Sequence, residues 1–230
     1  MSRTSRLPKS KYFVLRHLEI GYYFNFDPIK AYLESSQKMI EENEKELKKR
    51  FDKWNLENQD NPDYPDAYDI YENEIINQSE FSSILNESTF LTIYSMFEHS
   101  FFHLCERCRK IEDLNLGPKD LSGGNYIGQC RKFVTHVLNV NLDNQNEIWS
   151  KIRKYQLIRN TIAHNRGVLK DLKQDNLDFI EKTNGISYDR IGKQVHIDSI
   201  EFLNKLIDEL VGFLIDVCTE IIEQKKNSST

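Results

Sequence analysis

In the stretch LIRNTIAHNRG, Leu157 to Gly167, the polar residues Arg159, Asn160 and His164 stand among the core types Leu157, Ile158, Ile162 and Ala163. Arginine carries a permanent charge and a planar fork of donors that fits a phosphate. Histidine exchanges a proton near neutral pH. Asparagine can orient an imidazole or donate to an oxygen. The set holds no Ser or Cys nucleophile and no cluster of carboxylates for a metal. It therefore suits a reaction whose nucleophile arrives with the substrate. RNA carries one in its 2′-hydroxyl, which can attack the neighbouring phosphate. The protein then needs only to move protons and stabilise charge on that phosphate. The bland reading stands beside this one: three polar residues tying helices together as a buried network.

The spacing asks for a helix over residues 145–166. On a helix Asn160 and His164 lie one turn apart, about 40° from a common direction. Arg159 lies about 140° from His164, and its long side chain can reach round. Ile158 and Ile162 fall on the opposite side and, with Leu157, are read as the residues that anchor the helix. The net charge is −5, which excludes a broadly basic coat for nucleic acid. Locally the picture reverses. Residues 151–170 carry Lys151, Arg153, Lys154, Arg159, Arg166 and Lys170 and no acid. Of these, Lys151, Arg153, Lys154 and Arg166 are candidates for contacts along an RNA backbone, with plain solvated charge as the alternative for each.

The elements that must position this stretch are mostly helical. Gly and Pro are scarce, at 9 and 5, which disfavours a turn-rich β fold. Residues 1–11 read as a basic tail, and 12–26 as ambiguous between strand and helix. Asp27 and Pro28 read as the cap and first residue of a helix over 28–54. A loop rich in Asn, Asp and Pro leads to a helical region over 69–112, with a break expected near Asn77–Ser79. Ile93, Phe97, Phe101, Leu104 and Cys108 give that region its core spacing. Helices are expected near 125–139 and 169–182. GISYDRIGKQVHID reads as a small β-hairpin over 186–197, and Asp198 as the cap of a final apolar helix. The fold class is thus all-α, an elaborated helical bundle.

Other residues invite chemistry and decline it. His99, His103, Cys105 and Cys108 suggest zinc. On one helix, however, the cysteines fall at about 240° and 180° from His99, so one metal cannot collect all four. No metal and no cofactor is expected. The pair Gly123–Gly124 lacks the strand and spaced glycines of a phosphate loop. His17, His136 and His196 have no partner identifiable from sequence. The four cysteines form no dense disulfide framework in 230 residues, so reduced thiols and a cytoplasmic setting are expected. No signal peptide or membrane span is read.

RNTIAH, Arg159 to His164, matches the Arg-polar-three-residue-His signature of HEPN domains, with Asn directly after Arg. The setting is similar too: a motif helix in a helical chain, and an earlier core helix reading YSMFEHSF. The resemblance covers about residues 83–222, which divides the chain into an extension, 1–82, and a HEPN-like domain, 83–230. It implies a bundle that dimerises so that two motifs line one cleft. It also implies a metal-independent endoribonuclease leaving a cyclic phosphate, a toxin or phage-defence effector, and an antitoxin or defence protein as partner. Arg159 would hold the scissile phosphate, His164 would be the acid–base residue, and Asn160 would position one of them. Glu98 could orient Arg159 or His164, or be a surface carboxylate. Some relatives carry a regulatory tyrosine where this chain has Arg166, which departs from that mode of control. HEPN domains that do not turn over also occur, binding RNA, a nucleotide or a protein instead.

Overall fold

A computed structural model describes residues 11–59, 63–169 and 173–227. The basic N-terminal tail to residue 10, Lys170 and the last three residues lie outside them. Six helices and one hairpin follow in order: α1 (Arg16–Asn58), α2 (Ala67–Ile111), α3 (Tyr126–Lys132), α4 (Asn146–Asn165), α5 (Gln174–Lys182), β1 (Ile186–Asp189), β2 (Gln194–Ile197) and α6 (Ile200–Asn227). Short 3-10 turns at Lys11–Leu15, Pro118–Asp120 and Asp143–Gln145 connect them, and a π turn at Phe133–Val137 follows α3. The fold is all-α with a small hairpin, as its spacing requires.

Two compact units divide the chain, and neither is one stretch of sequence. The first takes the described parts of Met1–Asp27, Ile93–Gln156 and Leu206–Thr230; the second takes Pro28–Thr92 and Leu157–Lys205. The first unit is built round aromatic rings. Phe97, Phe101 and Phe213 meet at 5.5 to 6.1 Å between centroids, and Trp149 joins Phe213 at 5.8 Å. The Arg131 guanidinium lies 4.7 Å from the Trp149 ring centre, a cation–π contact at the cluster's margin. The second unit buries Leu33, Phe90, Ile158, Ile162, Val195 and Ile197. There Phe90 stacks on Phe202 at 6.1 Å, and the Asn86 amide donates to the Ile197 carbonyl at 3.1 Å.

Several local expectations are corrected. Residues 12–26 are helical. Pro28 does not start a helix but lies inside α1. Proline removes the bond that would fill the Phe24 carbonyl. Phe24 is 71% exposed, so water can take that place, while Tyr22 and Phe26 gain burial by continuing the helix. The break near Asn77–Ser79 is absent from α2. Gln78 donates to the Ile40 carbonyl at 2.8 Å and Ser79 donates to Ile76 within the helix at 2.7 Å, so both polar groups are satisfied without interrupting it. The helix expected over 125–139 is α3 plus the π turn, stopped by Asn139 at φ 53°. The helix expected over 169–182 begins only at Gln174. Ser199, not Asp198, caps α6, accepting from the Phe202 amide at 3.2 Å.

Gly185 shows how closely this unit is fitted. It sits at φ 87°, and a Cβ there would meet Phe202 Cβ at 2.5 Å and Ser199 Oγ at 2.6 Å. Gly185→Ala therefore combines a left-handed backbone with a clash against backbone-anchored atoms. We expect a loss of about 2 to 4 kcal/mol, read as a lower midpoint in urea unfolding.

Candidate functional site

The helix that carries the candidate residues forms because its apolar positions fall on one side. Ile152, Tyr155, Ile158 and Ile162, three or four residues apart, are all buried. Its first half lies in the first unit. Glu209 of α6 accepts from Lys151 Nζ at 2.9 Å and from the Tyr155 hydroxyl at 2.8 Å. Burial first, then the Glu209 carboxylate, push the Tyr155 phenol far above its ordinary range, so it stays a donor. The Tyr94 hydroxyl donates to the Ile152 carbonyl at 3.2 Å. Lys151 is thus committed to an ion pair. Arg153, exposed, donates to the Gln156 side chain, and Lys154 is half-buried. Glu98 is half-buried on α2 in this unit, where its charge helps raise the Tyr126 phenol above its usual range, behind burial and Cys130.

The second half carries Arg159, Asn160 and His164 in the second unit. Ile158 and Ile162 are buried while Asn160 and His164 are exposed, so the two polar residues occupy the solvent side of the last turn. Arg159 is half-buried and its Nη1 donates to Asn160 Oδ1 at 3.1 Å. That bond occupies the amide oxygen of Asn160 and leaves its nitrogen as a donor. Asn160 therefore touches Arg159. For His164 no hydrogen bond or ion pair occurs among the described residues. A permanent cation, an amide donor and a solvent-facing imidazole on one helix end can bind an anion and transfer a proton.

The helix ends abruptly. Arg166 and Gly167 both adopt left-handed backbone, at φ 52° and 80°. This reversal turns the chain back as a strand. Gly167 accepts from the Val195 amide at 3.0 Å, the Leu169 amide donates to the Lys193 carbonyl at 2.9 Å, and Val168 pairs with Gln194. The Gln194 side chain adds a bond to the Arg166 carbonyl at 3.3 Å. The hairpin therefore pins the end of the candidate helix. Sequence reasoning found the hairpin and found Arg166, but not that one holds the other. The available signal was Gly167, a glycine directly after a helical pattern.

The cysteines sit as their spacing demands. Cys105 and Cys108 are fully buried, and Cys130 and Cys218 with them, all as free thiols. Burial is the main cause that raises Cys105, Cys108 and Cys218 above the usual thiol range. His99 and His103 stack with each other on the exposed side of α2 at 6.5 Å. Among the described residues no three His, Cys, Asp or Glu side chains converge on a metal position, and no helix is long and apolar enough to cross a membrane. The chain matches no family model, no curated protein and no solved structure.

A Cβ at Gly167 would meet the Val195 carbonyl oxygen at 3.0 Å as well as a left-handed φ. Gly167→Ala is expected to loosen the pinned end: amide exchange at Val195 and Leu169 should speed up at least about tenfold, corresponding to about 1.4 kcal/mol. Exchange unchanged at both amides would show that the hairpin does not hold the helix end.

Proposed function

We propose that this chain is a metal-independent endoribonuclease of HEPN type, acting as a toxin or anti-phage defence effector. One observation carries the reading. Asn160 and His164 face solvent on the last turn of α4 with Arg159 bonded to Asn160, while Ile158 and Ile162 hold that turn in the core. A structural network would have buried the pair and saturated it. An exposed imidazole and a guanidinium carried by the same half of α4 suit a site for a phosphodiester.

In the reaction, the substrate's own 2′-oxygen attacks phosphorus and the bond to the 5′-oxygen breaks. The 2′-hydroxyl proton passes to a base, and the departing 5′-oxygen takes a proton from an acid. The products are a 2′,3′-cyclic phosphate and a 5′-hydroxyl. His164 serves as the proton-transfer residue. Arg159 stabilises the charge that grows on the non-bridging oxygens, and Asn160 holds its guanidinium in place. The working unit is a homodimer with the two motif helices lining one cleft, partnered in the cell by an antitoxin or defence protein. Lys154, Arg153 and Arg166 are proposed as the contacts along the RNA backbone.

Full-length protein incubated with total RNA in EDTA should generate fragments ending in cyclic phosphate. His164→Ala and Arg159→Ala should each slow this by on the order of 100-fold to 10,000-fold. Wild type and variants that all leave RNA intact while binding it would replace the enzyme with a binding module. Expression in a bacterial host offers a second measure: wild type should arrest growth and His164→Ala should not.

A further inference from the structure

We propose that the hairpin turn Asp189–Lys193 is a single-strand-reading arm of the same site, an inference that rests on the ribonuclease reading above. The turn is joined to the end of α4 through backbone bonds from Val195 to Gly167 and from Leu169 to Lys193. It is therefore held at a fixed position relative to His164 and Arg166 within the second unit.

The turn is stiff before it meets anything. The Asp189 carboxylate accepts from the amides of Ile191 at 2.9 Å and Gly192 at 2.8 Å, one oxygen for each. A Cβ at Gly192 would come within 2.6 Å of that carboxylate, which would have to swing aside. Arg190 is tied to Glu181 of α5. Asp189 and Glu181 are thus both engaged. Lys193 and Arg166 are exposed and form no ion pair among the described residues, which leaves two cations beside the helix end.

Ile191 sits at the tip, 97% exposed. At that exposure its side chain adds almost no buried area to the fold. A rigid apolar point flanked by cations matches a strand of unpaired nucleotides. The branched side chain packs on a base face, and Lys193 and Arg166 take neighbouring phosphates. An A-form duplex fits poorly, because its bases are stacked away and its deep groove excludes side chains.

Fluorescence anisotropy on the full chain tests this with a labelled single-stranded RNA whose 2′-oxygens are methylated, so that it binds without being cut. Ile191→Asp and Lys193→Glu should each weaken binding about fivefold or more. For Lys193→Glu the salt slope should also fall by about 0.7. A duplex of the same sequence should bind more weakly than the single strand. Both tip positions are solvent-exposed, and circular dichroism should show an unchanged helix signal. The arm is overturned if both variants bind as wild type, or if duplex and single strand bind alike, even where His164→Ala abolishes cleavage of unmodified RNA. If wild type neither binds the methylated strand nor cuts the unmodified one, the ribonuclease reading and the arm fail together.

Discussion

The candidate site depends on one backbone pairing, that of Gly167–Leu169 with Lys193–Val195. Two consecutive left-handed residues end α4 and throw the chain sideways into this pairing. Arg166 carries part of that strain, since a side chain in the left-handed region costs about 1 kcal/mol or more. The pairing offsets it by filling backbone groups that the helix end would leave open. β2 is consequently held by β1 through the register Ile186↔Ile197 to Asp189↔Gln194 and by the bridge from Val168 to Gln194. Its side chains Val195 and Ile197 are buried, and Asn86 of α2 seals the Ile197 carbonyl. The position of His164 thus follows from a chain of contacts that ends in the core of its unit.

The basic island shows how charge read from sequence separates on folding. Six cations within twenty residues suggest one continuous surface. Lys151 instead belongs to Glu209, whose side chain is only 14% exposed and which also takes the Tyr155 hydroxyl. A carboxylate that secluded is tolerable only with partners that satisfy both oxygens. The lysine and the tyrosine supply them. Lys151 therefore answers a need of the first unit's packing. Arg166 and Lys193 are exposed and have no such partner among the described residues. Lys193 lies outside the island altogether.

Legibility in the sequence follows the range of the interaction. The motif helix, the hairpin and the apolar face of α6 were readable because each is written in a local period. The exposure of Asn160 and His164 was readable for the same reason, as they share a face opposite Ile158 and Ile162. Local stop signals were less reliable. Pro28 read as a helix start and the Asn77–Ser79 run as a break, yet burial on either side and the bond from Gln78 to Ile40 carried the helices through. Pairings across the sequence were not readable. The contacts from Glu209 to Tyr155 and from Val195 to Gly167 span 54 and 28 positions and carry no periodic mark. The two interleaved units were hidden for the same reason.

The proposed chemistry makes a further demand on this arrangement. In-line transfer sets the entering 2′-oxygen and the leaving 5′-oxygen on opposite sides of phosphorus, so base and acid must approach from opposite directions. One imidazole cannot stand at both places in a single step. Each chain offers one copy of the motif, and Asn160 is bonded to Arg159 and not to the histidine. A second chain brought face to face would provide the missing proton donor as its own His164, together with a second guanidinium for the opposite non-bridging oxygen. On this reading the site is half a site in each chain. An exposed histidine with no hydrogen bond or ion pair among the described residues is the form such a half would take: burying it within its own unit would keep it from the proposed partner.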